Sequence, residues 1–275
     1  MNSAGLSEQA PPILDVRAEA EFLRSHGPGA VNIPFEELAA RVYELPSSNV
    51  PIHIVDPDAA RAGQAASFLA WRGHPVTIMP WDASVASESG PSAGRLWSAN
   101  PFLREALERI DSRKSWGRMA RPRALDVACG TGRDAVYLAM HAYDVVAVDV
   151  LQDALDRARS LAARYGVNIQ TIATDLENGD SLPTGPFDLV TVFRYLHRPL
   201  FSSLRDAVAP GGYLVYETFH EQNRLAGQRP HNPAHLLKSG ELVENFSDFE
   251  ILIERDAIER DGRFFSSLLA RRSNA

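Results

Sequence analysis

The stretch Leu125-Asp126-Val127-Ala128-Cys129-Gly130-Thr131-Gly132-Arg133-Asp134 runs from an apolar segment through two glycines into a helical pattern. Glycines at a sharp strand-to-helix turn let backbone approach a bound nucleotide, and the N-terminus of the helix presents free N–H groups to it. Outward from this loop, strand-like and helix-like segments alternate: Ala124–Ala128, Asp134–His141, Val145–Asp149, Gln152–Tyr165, Asn168–Ala173, Phe187–Phe193, Pro199–Val208 and Tyr213–Glu217. The runs Val145–Val148 and Leu189–Val192 are continuous in their apolar character, as in strands covered on both faces. A doubly wound, mostly parallel α/β sheet is therefore predicted. Two more strands, Glu250–Arg255 and Phe264–Ala270, are joined by Ala257–Gly262 without an evident crossover helix. They are expected to pair as a C-terminal antiparallel hairpin and to bring the sheet to seven strands.

Upstream, residues 83–94 are too small and polar to build a core and read as a linker. This divides the chain into a domain at 1–82 and a second at 95–275. The first also spells an α/β pattern, with strands at Ile13–Val16, Pro51–Val55 and Val76–Ile78 and helices at Ala18–Ser25 and Ala60–Arg72. Pro101–Ile110 reads as a helix leading into the second domain.

The 275 residues suffice for two cores, with 45% hydrophobic and 23% charged side chains in the range of ordinary globular proteins. No apolar run approaches the ~18 residues of a membrane span, and no basic segment followed by an apolar one opens the chain, so no membrane partner and a cytoplasmic location are expected. A single cysteine, Cys129, excludes an internal disulfide and a thiolate zinc cluster, and no metal is expected. Residues 1–90 hold 5 basic against 11 acidic side chains, which opposes binding to phosphate backbones. Between Arg104 and Arg123, seven basic residues (Arg104, Arg109, Arg113, Lys114, Arg118, Arg121, Arg123) face three acidic ones. A solvated helix face accounts for them better than a nucleic-acid footprint, and RNA stays open as a second-choice partner.

Gly130-x-Gly132-x-x-Ala135 also satisfies the dinucleotide fingerprint, which keeps a nicotinamide enzyme as a rival. Four further features resemble the motif series of the class I S-adenosylmethionine-dependent methyltransferases. They are Asp126 at the loop entrance; Asp149, 17 residues past Gly132; Asp175 in Ala173-Thr174-Asp175-Leu176-Glu177; and the pair Pro186–Val190 and Ala209–Val215. The resemblance implies a Rossmann-like fold and S-adenosylmethionine as cofactor. It gives Asp126 the methionine part, Asp149 the ribose hydroxyls, and Asp175 with the Leu176 N–H the adenine. Ala128, Cys129, Gly130, Gly132, Val150 and Phe193 would complete the cofactor site. The family often has glycine where Ala128 stands. Cys129 reads as a small core residue rather than a nucleophile.

Acceptor-side candidates follow the fourth and fifth strands of that sheet: Arg194, Tyr195 and His197, then Glu217 and His220. The two histidines are candidate proton acceptors and Arg194 a holder of an anionic acceptor. Phe193–Phe201 and Tyr216–Leu242 resemble the bacterial methyltransferases grouped with the tellurite-resistance proteins. This implies a small-molecule acceptor, a sulfur, selenium or tellurium species, under a lid holding Arg229, His231 and Asn232. An RNA methyltransferase and a non-catalytic cofactor- or anion-binding protein are the alternatives.

In the first domain, Asp15-Val16-Arg17 with Glu21-Phe22, Gly27–Pro34, Ile52–Ala62 and Ala65–His74 resemble a rhodanese domain. The position of the persulfide-forming cysteine is Asp56 here, and Ala59 replaces the loop's usual glycine. A carboxylate cannot carry a sulfane sulfur, so a non-catalytic domain is expected. Arg61 leaves room for an anion-binding remnant; a scaffold packing on the second domain or making a homodimer is the simpler role.

Overall fold

The computed structural model describes residues 10–80, 87–92, 94–111, 121–259 and 262–274. Part of the expected linker (83–86 and 93) and the basic residues Arg113, Lys114 and Arg118 lie outside the described residues, as do 1–9 and 81–82 of the expected first domain. Contacts divide the chain into two compact units, Met1–Ser98 and Ala99–Ala275.

The first unit is a four-stranded parallel sheet in the order β2-β1-β3-β4. Its strands are β1 (Ile13–Asp15), β2 (Val31–Asn32), β3 (Ile52–Val55) and β4 (Val76–Met79), with helices α1 (Glu19–Arg24), α2 (Phe35–Leu38) and α3 (Ala59–Trp71). Ala62, Ala65 and Leu69 recur at helical spacing and turn one face of α3 into a core with Leu14, Ile33, Ile52 and Ile54. Asp58 caps α3 by accepting the N–H groups of Ala60 and Arg61. Packing of this unit reaches past the small polar segment: Glu88 and His26 exchange backbone hydrogen bonds of 2.8 and 2.9 Å, and Leu96 is buried in the same core.

The second unit opens with α4 (Pro101–Asp111) and continues β5 (Arg123–Val127), α5 (Arg133–Met140), β6 (Asp144–Asp149), α6 (Gln152–Arg164), β7 (Ile169–Ala173) and β8 (Phe187–Phe193). A 3-10 turn at Arg198–Leu200 then leads to α7 (Phe201–Ala207), β9 (Val208–Phe219), α8 (Gln222–Leu225), α9 (Glu241–Asn245), β10 (Phe249–Ile258) and β11 (Phe264–Arg272). The seven strands order as β10-β11-β9-β8-β5-β6-β7, with β5 to β9 parallel. β11 is antiparallel to β9 and to β10, the expected hairpin. Loops after β5, β6, β8 and β9 therefore leave the sheet along one edge, where β11 enters it.

Two local readings change. Residues 209–212, ahead of the strand expected to begin at Tyr213, lie inside β9. Gly212 fits because any Cβ there would come within 2.9–3.1 Å of the carbonyl oxygens of Ala209, Asp188 and Phe187, where the β8–β9 register shifts. The expected helix Pro199–Val208 starts as a 3-10 turn around Pro199, and its last residue belongs to β9.

Gly132 has φ +78°, and a Cβ on it would lie 2.5 Å from the Ala158 Cβ of α6. Close packing of the loop on α6 thus requires this glycine, independent of any ligand. Gly132→Ala is predicted to lower the unfolding free energy by about 1–3 kcal/mol through overpacking, measured by urea denaturation. In an Ala158→Gly background the penalty should shrink; an equal penalty would contradict the packing argument.

Candidate active site

Four carboxylates gather along the edge where β5, β6, α5 and β9 meet. Asp126, near the end of β5, is 2% exposed; its Oδ1 accepts the Thr191 hydroxyl at 2.9 Å. Its Oδ2 is buried and has no hydrogen-bond partner among the described residues. Burial, with Asp134 next in effect, pushes the Asp126 carboxyl well above the usual range. Asp134, in the first turn of α5, accepts the Asn100 backbone N–H at 2.7 Å, and burial raises its carboxyl to about 6. Glu217 of β9 is buried with both oxygens engaged: Oε1 accepts from the Asn100 side-chain amide at 2.9 Å and Oε2 from the Ser267 hydroxyl at 2.7 Å. Asn100 also caps α4 through its Oδ1 on the Phe102 N–H at 2.7 Å. Ser267, Glu217, Asn100 and Asp134 thus form one hydrogen-bonded chain from β11 to α5.

Asp149 ends β6 and ties two loops together, accepting the Gly130 N–H at 2.8 Å and the Leu151 N–H at 2.9 Å. Beside it, Val150 and Leu151 are 56% and 62% exposed, two apolar side chains left in solvent at the sheet edge. Gly130 faces open space and, like Ala128, holds a left-handed backbone (φ 54° and 55°). Asp175 follows β7, with Asn178 donating from its backbone and side-chain N–H at 3.2 and 2.8 Å; these bonds lower the carboxyl. Leu176 is buried and Phe193, the last residue of β8, is half-buried. Burial pushes the Cys129 thiol up, away from a thiolate.

Arg194 leaves β8 with φ 56°, a left-handed conformation fixed by its N–H on the Glu217 carbonyl at 2.8 Å. Its guanidinium lies 5.8 Å from the Phe265 ring centre, and its charge acts on Asp134 and Arg133. Tyr195, expected on the acceptor side, sits among acids: burial, then Glu177, Asp175 and Asp149, push its hydroxyl up to about 12. His197 is half-buried ahead of the 3-10 turn. His220 is 3% exposed; Nδ1 accepts the Gln222 N–H at 3.1 Å, so Nε2 carries the proton of the neutral ring. That Nε2 lies 3.6 Å from Asp256 Oδ2 of β10, too far for a hydrogen bond, and has no hydrogen-bond partner among the described residues. The edge therefore brings Arg194, Glu217 and Asp134 together, while Tyr195 goes to the acid side and His220 to the hairpin.

The segment after β9 returns to the same edge. Leu237 donates to the Phe219 carbonyl and Glu221 to the Leu237 carbonyl, each at 2.8 Å. Arg198 clasps the segment, pairing with Glu241 at 2.5 Å and donating to the carbonyls of Ala234 and Leu236 at 3.1 and 2.8 Å. Arg229, His231 and Asn232 are exposed on it. Sequence reasoning missed Asn100, Asp134, Ser267 and Arg198. Asn100-Pro101 carries a helix-start signature that points to the cap; nothing local links Arg198 to Glu241.

In the first unit, the Asp56 side chain is fully buried and chelated by Arg61 at 2.5 and 2.9 Å, and it accepts the Asp58 N–H at 2.8 Å. The loop's guanidinium is thus matched by the loop's own carboxylate.

Residues 3–81 match the family described as a rhodanese-like domain, and residues 124–212 match the family described as a methyltransferase domain. An uncharacterized protein of Schizosaccharomyces pombe, UNK4.09, is 24% identical over 94% of this chain and 93% of its own length. The ubiquinone biosynthesis O-methyltransferase of Bordetella avium is 26% identical over 54% of this chain and 67% of its own. TehB from Haemophilus influenzae superposes with a TM-score of 0.50 at 18% identity, over 62% of each chain, a likeness of fold. On the two sheets described above, these matches place a rhodanese-like domain over residues 3–81 and a methyltransferase domain over residues 124–212.

Proposed function

We propose that the methyltransferase domain acts on a small-molecule acceptor that is already nucleophilic at neutral pH, a thiol, selenium or tellurium species. The carrying observation is that two of the three candidate bases are engaged: the Nδ1 lone pair of His220 accepts from Gln222, leaving an Nε2 with no hydrogen-bond partner among the described residues, and both Glu217 oxygens accept hydrogen bonds. An acceptor that ionises by itself needs no base, only alignment and exclusion of water. Arg194 offers a guanidinium at the same edge for an anionic acceptor. The Arg198 clasp holds the Ala234–Leu236 strip in place, a feature that suits a small acceptor better than a polynucleotide.

The residues fit the cofactor. S-adenosylmethionine carries a sulfonium and an ammonium, and the buried carboxylates, one with an unpartnered oxygen, favour a cation. Asp126 would take the ammonium, Asp149 the ribose hydroxyls, and Val150 and Leu151 the flat face of the adenine. Bound there, the cofactor supplies an electrophilic methyl group.

Calorimetry with S-adenosylmethionine, S-adenosylhomocysteine and NAD tests the cofactor assignment. Wild type should bind the first two and not NAD. Asp149→Ala should weaken binding by at least about tenfold, as for loss of a charge-assisted hydrogen bond of about 1.5–3 kcal/mol. Binding of NAD alone would overturn it. For the acceptor, the rate of thiol methylation should follow the thiol's own ionisation and survive both His220→Gln and His197→Gln; a rate that collapses in either variant would contradict the base-free reading.

For the rhodanese-like domain we propose a non-catalytic role, since Asp56 occupies the cysteine position and neutralises Arg61. No sulfur should pass from thiosulfate to cyanide in the presence of the full chain. Turnover above the buffer rate would contradict this.

A further inference from the structure

β9 and β11 run antiparallel with Phe219 opposite Phe265, and the rung beyond that pair joins His220 to Phe264. A rung of this kind ordinarily carries two backbone hydrogen bonds, one in each direction. The first is present, the His220 N–H donating to the Phe264 carbonyl at 3.0 Å. Where the second would run, the side-chain amide of Asn223 on α8 stands between the strands. Its Oδ1 accepts the Phe264 N–H at 3.0 Å, and its Nδ2 donates to the His220 carbonyl at 2.9 Å and to the Phe264 carbonyl at 2.5 Å. The Asn223 backbone donates to the His220 carbonyl at 3.1 Å and accepts the Gln228 N–H at 2.7 Å, so the segment after β9 hangs on the same residue. Asn223 is 0% exposed. Its amide thus relays the rung and sets how far the end of β9 stands from β11. A carboxylate of the same shape would turn an oxygen on two carbonyl oxygens, so the chemistry of the amide is required as well as its size.

One residue along, the Phe265 ring packs 4.9 Å from the Phe219 ring. The Arg194 guanidinium lies 5.8 Å from the Phe265 ring centre, and that of Arg263 lies 5.7 and 5.6 Å from the Phe219 and Phe265 centres. A guanidinium is drawn to a ring face within about 6 Å, so a small displacement of β11 loosens its seat. We propose that Asn223 is a positioning residue of the acceptor side: its amide fixes the last β9–β11 rung, and with it the Phe219–Phe265 pair on which Arg194 is seated to meet an anionic acceptor. This rests on the acceptor reading given above. The bond from the Arg194 N–H to the Glu217 carbonyl holds the backbone of that arginine; the rings hold its charged end. Asn223 acts through them and not by touching the acceptor.

The test compares two small thiols as acceptors for the full chain: mercaptoacetate, which carries a carboxylate, and mercaptoethanol, which does not. S-adenosylhomocysteine affinity is measured alongside. In Asn223→Ala and Asn223→Asp, KM for mercaptoacetate should rise about tenfold, as for a weakened contact to a charged group, with kcat, KM for mercaptoethanol and S-adenosylhomocysteine affinity within about twofold of wild type. Arg194→Gln should show the same selective rise, and adding Asn223→Ala to it should raise KM no further, because both changes remove one contact. Phe265→Leu keeps Asn223 and removes the ring beneath Arg194; it should reproduce the rise, a readout that stands even if the Asn223 variants do not fold. Equal losses on the two thiols, effects of Asn223→Ala and Arg194→Gln that multiply, or an unchanged KM for mercaptoacetate in Phe265→Leu would each overturn the proposal and leave the acceptor reading standing. A wild type that binds S-adenosylhomocysteine yet methylates neither thiol would sink both.

Discussion

The buried carboxyl of Asp126 governs the second domain. It lies one residue before the end of a central strand, where the Thr191 hydroxyl donates to Oδ1 and the Ala135 backbone N–H also favours the carboxylate, while Oδ2 stays buried with no hydrogen-bond partner assigned to it among the described residues. A carboxylate so placed is costly unless a cation joins it or a proton stays on it. The neighbouring acids deepen the deficit, and the arginines act on Asp134 instead: Arg194 is exposed and Arg133, half-buried, is the residue next to it. The sheet can hold this arrangement because β5, β6, β8 and β9 are tightly cored by residues such as Leu125, Val148, Val190 and Leu214, all at or near zero exposure. Stability made by the core is thus set against an edge poised for a positively charged ligand.

Much of this was legible in the sequence. The continuous apolar runs of β6 and β8 announce strands covered on both faces, and the Gly130–Gly132 loop between strand and helix marks the ligand edge. Asp126 and Asp149 are found there because one stands a residue before the end of β5 and the other ends β6. The roles within the loop separate only in three dimensions: Gly132 answers to Ala158 of α6, whereas Gly130 faces open space. Nothing local gives Asp134 its partner, the Asn100 N–H, which comes from 34 residues upstream. The acceptor-side histidines illustrate the opposite limit. A histidine after a strand reads as a base from its position alone; the hydrogen bond from the Gln222 N–H that occupies His220 Nδ1 is set by a short helix of no strong periodicity.

The first domain repeats the theme on a smaller scale. Asp56 lies in a loop that ends in a capped helix, and Arg61 on the first turn of α3 folds back to chelate it. Where the methyltransferase edge leaves a carboxylate oxygen open, this loop closes every charge on itself.

The most direct test of the unbalanced edge is the difference in unfolding free energy between wild type and Asp126→Asn across pH 5 to 8, with and without saturating S-adenosylhomocysteine. A carboxyl whose folded-state pKa is raised loses stability as pH rises from its unfolded value through its folded one. Without ligand the variant should therefore gain on wild type as pH rises. With ligand, wild type should recover the advantage. A difference that ignores both pH and ligand would show that Asp126 is an ordinary structural acid and would contradict the account.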